Sequence, residues 1–463
     1  MKRMLPYIVE SWTNTEGNIN TLSTILQWID DINEITKMNV NECNINDSGF
    51  WFYDNYNGEV RNIKHSFFSI KGMRFFLNNS FMSEQPIIIQ PEIGYLGIIC
   101  KIIDGTLNFL MQAKIEPGNI NGVQISPTIQ ATKSNFTRMH GGRLPTYFSY
   151  FENANKYHII YDQIQSEQAS RFYKKRNRNM IICIDEDIEV HPNFMWMTLG
   201  QIKKIMETDN LINMDTRTVI SGIPLIKEKI SDEEILEVEH LFSDYALFNS
   251  IFNSDQSKSL YEIYYSINNY KMFQDIHVTD VPLNQLVDWT VNDYGITCSK
   301  NANFLVRYYN IEISGREVYK WIQPMFKATA SATIGLITKR KNNSLDFLVR
   351  AKREVGNFDH LELGPSIQWE PTHITANDDE VESYFRKQLH NKNYIKTDVI
   401  LSEEGGRFYH EVNRNLIMEI PENVLENIPK DYFWVSYGTL NYLIQINNCL
   451  NIQLRNLLAN IKI

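Results

Sequence analysis

Two rhythms of apolar and polar positions run along this chain. In Leu22–Ile35 the apolar residues Leu22, Ile25, Leu26 and Ile29 recur at three- and four-residue spacing, which predicts an amphipathic helix. Short aromatic runs at 50–53 and 67–70 follow, separated by Asn57-Gly58, and predict strands joined by turns. Residues 87–91 and 97–102 continue the strand pattern. Asp104-Gly105 predicts a two-residue hairpin turn into a strand over 107–113. Residues 1–19 read as a lead-in with turn chemistry at 14–18. Residues 232–242 predict a further amphipathic helix, with acidic residues in the first turn where the helix dipole favours them. It is long enough to bridge two domains or to form a dimer contact.

The pattern occurs twice. Residues 166–184 and 402–420 align without a gap, sharing Ser, Glu, Arg, Phe, Tyr, Asn, Arg, Asn and two Ile positions. Residues 107–130 match 345–368, with Lys114 against Lys352, Glu116 against Glu354, Gly118-Asn119 against Gly356-Asn357 and Gln130 against Gln368. A loop at 131–143 in the first copy has no counterpart. Trp196 and Trp434 open similar helical patterns, and Leu22 to Ile29 matches Leu283 to Trp289 loosely. A period near 240 residues means duplicated domains, since solenoid periods are roughly 20–50 residues. The expected division is 20–220, a connecting helical segment at 221–279, and 280–463. Strands precede and surround a few helices in each copy, so the predicted class is α+β with mixed sheets flanked by helices.

Composition narrows the chemistry. The chain has 463 residues, 43% of them hydrophobic, which suits more than one packed core. A formal charge of −10 argues against nucleic-acid binding, although a local basic pocket still suits a small anion. No apolar run approaches the roughly 18 residues of a membrane span, and the five scattered cysteines suggest reduced thiols in the cytoplasm. Dinucleotide, P-loop, HExxH and GxSxG motifs are lacking. His360-Leu361-Glu362 begins a zinc-deaminase pattern but lacks its P-C-x-x-C partner. No metal is expected.

What remains is acid, base and anion recognition. Lys174 to Arg178 is the most basic run; it suits phosphate oxygens, or is simply a solvated face. Glu403-Glu404 beside Arg407 and Tyr409 offers paired carboxylates, a cation and a phenol. A carboxylate near a like charge has a raised pKa and suits proton transfer near neutral pH. A surface pair before a glycine turn is the plainer alternative. Alternation in Leu361-Glu362-Leu363 puts Glu362 opposite two leucines, facing either a pocket or water. His373 is a candidate proton carrier, or a structural histidine.

Gln112 to Asn119, Ser126 to Thr132 with Ser134-Asn135, Ser166-Glu167-Gln168 with Lys175 to Asn179, Gly315 to Val318 with Trp321 and Gln323-Pro324, and Ser402 to Phe408 together resemble the NDP-hexose 2,3-dehydratase family across nearly the whole chain. The resemblance implies two Nudix-like domains in a homodimer, a dTDP-linked 4-keto-6-deoxyhexose as substrate, and elimination of water across C2–C3 without a cofactor. Val355 replaces the proline of the E-P-G-N motif in the second copy, and no Nudix glutamate box is recognisable. The expected catalytic residues lie in the second copy: Glu403, Glu404, Tyr409, His373 and Glu362. The expected nucleotide-sugar contacts are Arg407, Arg414, Arg316, Trp321 and Gln323, with Arg138, Glu167, Arg171, Lys175 and Arg178 from the first copy. The rival readings are a non-catalytic nucleotide-sugar-binding protein and a metal-dependent diphosphate hydrolase, which the missing glutamate box disfavours.

Overall fold

The computed structural model describes residues 3–137, 144–315 and 318–463, so Arg138 and Arg316 lie outside the described residues. The fold is α+β, with mixed sheets in two repeated pairs. Each pair has one seven-stranded and one five-stranded sheet. In the first large sheet His158–Ser166, Arg176–Cys183, Ile93–Ile103, Thr106–Ile115 and Phe194–Met197 lie side by side, with Arg176–Cys183 parallel to Ile93–Ile103. The second repeats this with Ile395–Ser402, Val412–Ile420, Thr333–Lys341, Ser344–Lys352 and Tyr432–Ser436, where Val412–Ile420 runs parallel to Thr333–Lys341.

The hairpin turns follow local chemistry. Asp104 and Gly105 have φ of 49° and 82°, as a two-residue hairpin requires, and Asn342-Asn343 does the same work in the second repeat at 49° and 59°. Thr198 and Ser436 each cap a helix, accepting the N–H of Gln201 and Thr439 at 3.1 Å. The helices therefore begin at Leu199 and Tyr437, while Trp196 and Trp434 belong to the preceding strands.

Two expectations fail. The supposed lead-in contains the helix Leu5–Thr13, with Pro6 in its first turn and Ile8, Val9 and Trp12 buried in the main core. Leu283–Trp289 is not a helix. It is a 3₁₀ turn, Leu283–Gln285, leading to the strand Trp289–Asn292. The helix placed like Leu22–Ile35 is Gln256–Phe273, since each precedes a strand that joins the opposite half. Its exposed Tyr261 and Tyr265, with little besides Ile263 and Ile267 buried, blur its periodicity. The amphipathic helix Asp232–Glu239 is capped by Ser231 and buries Ile235 and Val238 in the main core.

Strand exchange joins the halves. Met38–Glu42 pairs with Phe304–Ile313 in the second small sheet, while Ile276–Val281 pairs with Ser69–Leu77 in the first. The small sheets share a core in which the Phe172 and Phe408 rings meet edge to face at 5.7 Å. One main core draws on both large sheets.

Backbone fixes the register between halves. The Gly118 N–H donates to the Gly405 carbonyl at 2.8 Å, and its own carbonyl accepts from His410 N–H at 2.9 Å. Gly356 mirrors this with Ala169 and Lys174 at 2.8 and 2.9 Å. A Cβ at Gly118 would lie 1.7 Å from the Phe408 carbonyl oxygen, and one at Gly356 1.7 Å from that of Phe172. Two buried arginines repeat the symmetry: Arg217 donates to the Ser402 carbonyl at 2.7 Å, and Arg455 donates to the Ser166 carbonyl. Gly356→Ala is expected to destabilise the protein by more than ~2 kcal/mol, because the clash is with backbone that cannot rotate aside. A denaturation midpoint equal to wild type would contradict this account of the joint.

Candidate active site

A cleft of about 1170 Å³ opens over the large sheet of the first repeat. Its floor carries Lys114 and Glu116 from the strand Thr106–Ile115 and the residue after it, with Glu167, Lys175 and Asn177 from the turn and strand beyond. The helix Met214–Ile220 adds Asp215. The second repeat supplies Glu404, Gly406 and Arg407 from the turn joined to Gly118, and Trp321 and Gln323 from Lys320–Ala328. One wall is aromatic, with Phe50, Trp51, Phe67 and Phe68.

Hydrogen bonds hold this floor in place. Lys114 Nζ lies 3.0 Å from Glu116 Oε1, which also accepts from Gln130 Nε2 at 3.2 Å. Asn177 donates to Glu167 Oε1, and Glu167 Oε2 is a buried oxygen with no hydrogen-bond donor among the described residues. Lys175 Nζ donates to the Glu92 carbonyl at 2.7 Å. The Arg407 guanidinium donates to Gln90 Oε1 at 3.2 Å and lies 4.3 Å from the centre of the Phe68 ring. Trp321 Nε1 donates to Gln323 Oε1 at 3.0 Å, and Gln323 Nε2 donates to the Gly406 carbonyl at 2.8 Å.

Four carboxylates, Glu116, Glu167, Asp215 and Glu404, thus share the cleft with Lys114, Lys175 and Arg407. Burial, then the Glu404 charge, pushes Glu167 up to about 7, against the pull of Lys175. Burial also raises Glu404, with Arg407 opposing and Glu116 adding to the rise. Burial lowers Lys175, against the attraction of Glu167. Such a site sets carboxyls raised by burial and mutual repulsion beside cations that can receive developing negative charge.

Of the five residues expected to act as acids and bases, Glu404 alone lines the cleft. Its neighbour Glu403 turns toward the second repeat and accepts from Asn413 at 2.6 Å. Glu362 is buried and accepts from Ser166 Oγ at 2.6 Å. Tyr409 is stacked between Tyr309 and His410, with ring centres at 4.2 and 4.0 Å. His373 bonds Asp378 at 2.6 Å and stacks on Trp369. His373, Asp378 and Glu382 lie close enough to suggest a cation site. Arg386 already bonds Asp378, and Arg350 bonds Glu382.

Among the expected contacts, Glu167, Lys175, Arg407, Trp321 and Gln323 reach the cleft. Arg178 and Arg414 do not. They form matching ion pairs with Asp162 and Asp398, at 2.6 and 2.7 Å, along equivalent strand pairs. Arg171 is the counterpart of Arg407 but serves the second repeat, 3.0 Å from Glu370 and 3.7 Å from Glu411. There Trp369 stands where the first repeat has Ala131, packed against Phe385 and under Arg386. Lys114, Glu116, Asn177 and Asp215 escaped selection as site residues. The recurring Lys-x-Glu pairs were legible in the sequence, whereas Asp215 stands out only against Gln453 once the helices at 213–217 and 451–455 are aligned.

The profile of the NDP-hexose 2,3-dehydratase family matches residues 22–223 and again 261–461. The chain belongs to the NDP-hexose 2,3-dehydratase family. Three proteins named dTDP-4-dehydro-6-deoxy-alpha-D-glucopyranose 2,3-dehydratase are similar to it. The Saccharopolyspora spinosa protein is 36% identical over 89% of this chain and 85% of its own length. That of Streptomyces violaceoruber is 32% identical over 94% and 96%, and that of Amycolatopsis orientalis 31% over 98% and 92%. The two matched segments of this NDP-hexose 2,3-dehydratase family member begin within the paired helices Leu22–Ile35 and Gln256–Phe273, each ahead of an exchanged strand.

Glu362 permits a test separating packing from chemistry. Burial raises it from 4.5 to about 8, opposed by the Ser166 hydrogen bond. The folded state therefore keeps a proton that the unfolded chain releases, and stability falls as pH rises from 4.5 toward about 8. Glu362→Gln is expected to flatten this fall in the denaturation midpoint while leaving turnover largely intact. A variant that is inactive yet keeps the wild-type pH dependence of stability would place Glu362 in the chemistry instead.

Proposed function

We propose that the cleft binds a dTDP-linked 4-keto-6-deoxyhexose, with the hexose on its carboxylate floor. The protein is an NDP-hexose 2,3-dehydratase, a hydro-lyase, and the substrate proposed is dTDP-4-keto-6-deoxyglucose. The observation that carries this assignment is Glu404 beside Lys175, with Glu167 raised to about 7, in a cleft large enough for a nucleotide sugar. Clefts of roughly 300–1,000 Å³ commonly hold small-molecule ligands.

The roles follow from the substrate. Its C3 hydrogen is acidic because it lies α to the C4 ketone. Glu404 takes that proton. Lys175, held by the Glu92 carbonyl, faces the enolate oxygen with its positive charge. Arg407 suits the diphosphate, and the wall of Phe67 and Phe68 suits the base. The C2 hydroxyl then leaves, and the resulting enol tautomerises to the 3,4-diketo-2,6-dideoxy sugar. The same reading takes each half as Nudix-like, the assembly as a homodimer and the location as cytoplasmic.

With dTDP-4-keto-6-deoxyglucose supplied and the diketone trapped as a quinoxaline, wild-type protein is expected to consume the substrate. Unchanged substrate would overturn the assignment for this nucleotide. Glu404→Gln is expected to lose about 10²–10⁴-fold in kcat while still binding dTDP, the size of a missing general base. Full turnover in that variant would remove Glu404 from the role. A non-catalytic binding protein, the rival reading, binds the sugar nucleotide and yields no diketone.

The wild-type pH profile provides a separate check. Glu404 must be ionised to accept a proton, and its pKa is raised, so kcat/KM is expected to rise with pH through a value above the ordinary 4.5 of a glutamate. An acid limb at or below that value would contradict the role.

A further inference from the structure

The pseudo-symmetry sets each cleft residue against a counterpart in the second repeat. Lys114, Glu116, Gln130, Glu167 and Asn177 answer to Lys352, Glu354, Gln368, Glu403 and Asn413, so they form an inherited framework. Among the carboxylates and cations of its floor, the cleft differs from its counterpart at Glu404 against Gln168, Lys175 against Glu411, and Asp215 against Gln453. Glu404 and Lys175 already have work in the reaction, and Asp215 has none.

Its setting is built rather than incidental. Asn213 caps the turn on which Asp215 sits, accepting the Thr216 N–H at 2.8 Å and donating to Ser126 Oγ at 2.8 Å. Asp215 is 2% exposed and lines the cleft, yet among the described residues no group hydrogen-bonds its carboxyl. Burial, then the facing carboxylates Glu167, Glu404 and Glu116, raise it well above the ordinary range, with Lys114 opposing. Arg217 and Arg455 also feel its charge. Their hydrogen bonds go to backbone and hydroxyl oxygens, not to Asp215: Arg217 to Ile212 and Ser402, with its Nε unpartnered among the described residues, and Arg455 to Leu450, Ser166 and Thr218. A buried carboxyl raised in this way, with no hydrogen bond to its oxygens and facing an open cleft, holds its proton more readily than an exposed one and can give it to an acceptor.

We propose that Asp215 is the general acid of the dehydration, giving its proton to the C2 hydroxyl oxygen as the C2–O bond breaks. This rests on the functional reading above. Glu404 first removes the C3 hydrogen, and the electron pair moves onto the C4 oxygen as an enolate. The enolate pair then returns, forming the C2–C3 double bond and restoring the ketone, while the C2–O pair leaves with the hydroxyl. The Asp215 proton completes that hydroxyl as water. The enol gains a proton at C2 and loses one from the C3 hydroxyl, which restores both carboxyl groups. Gln453, at the matching place in the second repeat, can hydrogen-bond but has no such proton to give.

The test separates the two proton transfers. In deuterium oxide, Asp215→Asn is expected to eliminate water about 10²–10⁴-fold more slowly than wild type, the span of a lost general acid. It is still expected to exchange the C3 hydrogen of dTDP-4-keto-6-deoxyglucose for deuterium, seen by proton NMR, because Glu404 and Lys175 remain. Elimination at the wild-type rate would overturn the assignment. So would equal loss of exchange and elimination in a variant that still binds dTDP. If the asparagine variant does not fold, Asp215→Gln, the residue found at 453, undergoes the same two measurements. A wild-type chain that leaves the substrate untouched overturns the functional reading itself, and this assignment with it.

Discussion

Two glycines determine how the halves of this protein meet. Gly118 and Gly356 each press against the turn of the opposite repeat, closer than any side chain allows, and each exchanges two backbone hydrogen bonds there. Those turns carry the functional side chains, so each site draws on both halves. Side chains alone could slide against one another, whereas paired N–H and C=O groups fix position to a fraction of an ångström. The exchanged strands and the arginines Arg217 and Arg455 depend on the same alignment, since each arginine reaches a carbonyl at the base of the opposing turn.

The two sites began from one plan and parted in charge. Both keep a Lys-x-Glu pair, a glutamate held by an asparagine, and an arginine reaching in from the other half. In the second repeat Arg171 is neutralised by Glu370 and Glu411, and Trp369 stands where the first repeat has Ala131. In the first, Lys175 replaces a glutamate and an aspartate replaces a glutamine, giving an open cleft of mutually repelling carboxylates. A group of that kind is costly to bury, and it persists where raised pKa values serve proton transfer.

Much of this was legible in the sequence. The duplication, the α+β class, the hairpin at Asp104-Gly105 and the importance of the turn at 402–409 all come from local pattern and self-similarity. The exchange was not, because pairing of Met38–Glu42 with a strand near residue 310 leaves no mark in either segment's periodicity. For the same reason the acid and base groups were sought within one copy. Adjacent residues on a turn point opposite ways, so Glu403 and Glu404 are neighbours in the chain yet belong to different sites. Arg178 and Arg414 stand away from the cleft, in matching ion pairs with Asp162 and Asp398 across equivalent strand pairs, so their repetition follows from the duplicated sheet.

The strand exchange also bears on how such chains can be recombined. Cutting between two relatives at the middle of the sequence does not transfer an intact site, because the unit of inheritance in space is not the unit of inheritance in the gene. A hybrid made that way would carry the floor of one parent's cleft and the closing turn of the other's. To move a whole cleft, a crossover scheme would need the first half together with two short, separated segments of the second: residues 313–323, and the turn that carries Glu404, Gly406 and Arg407.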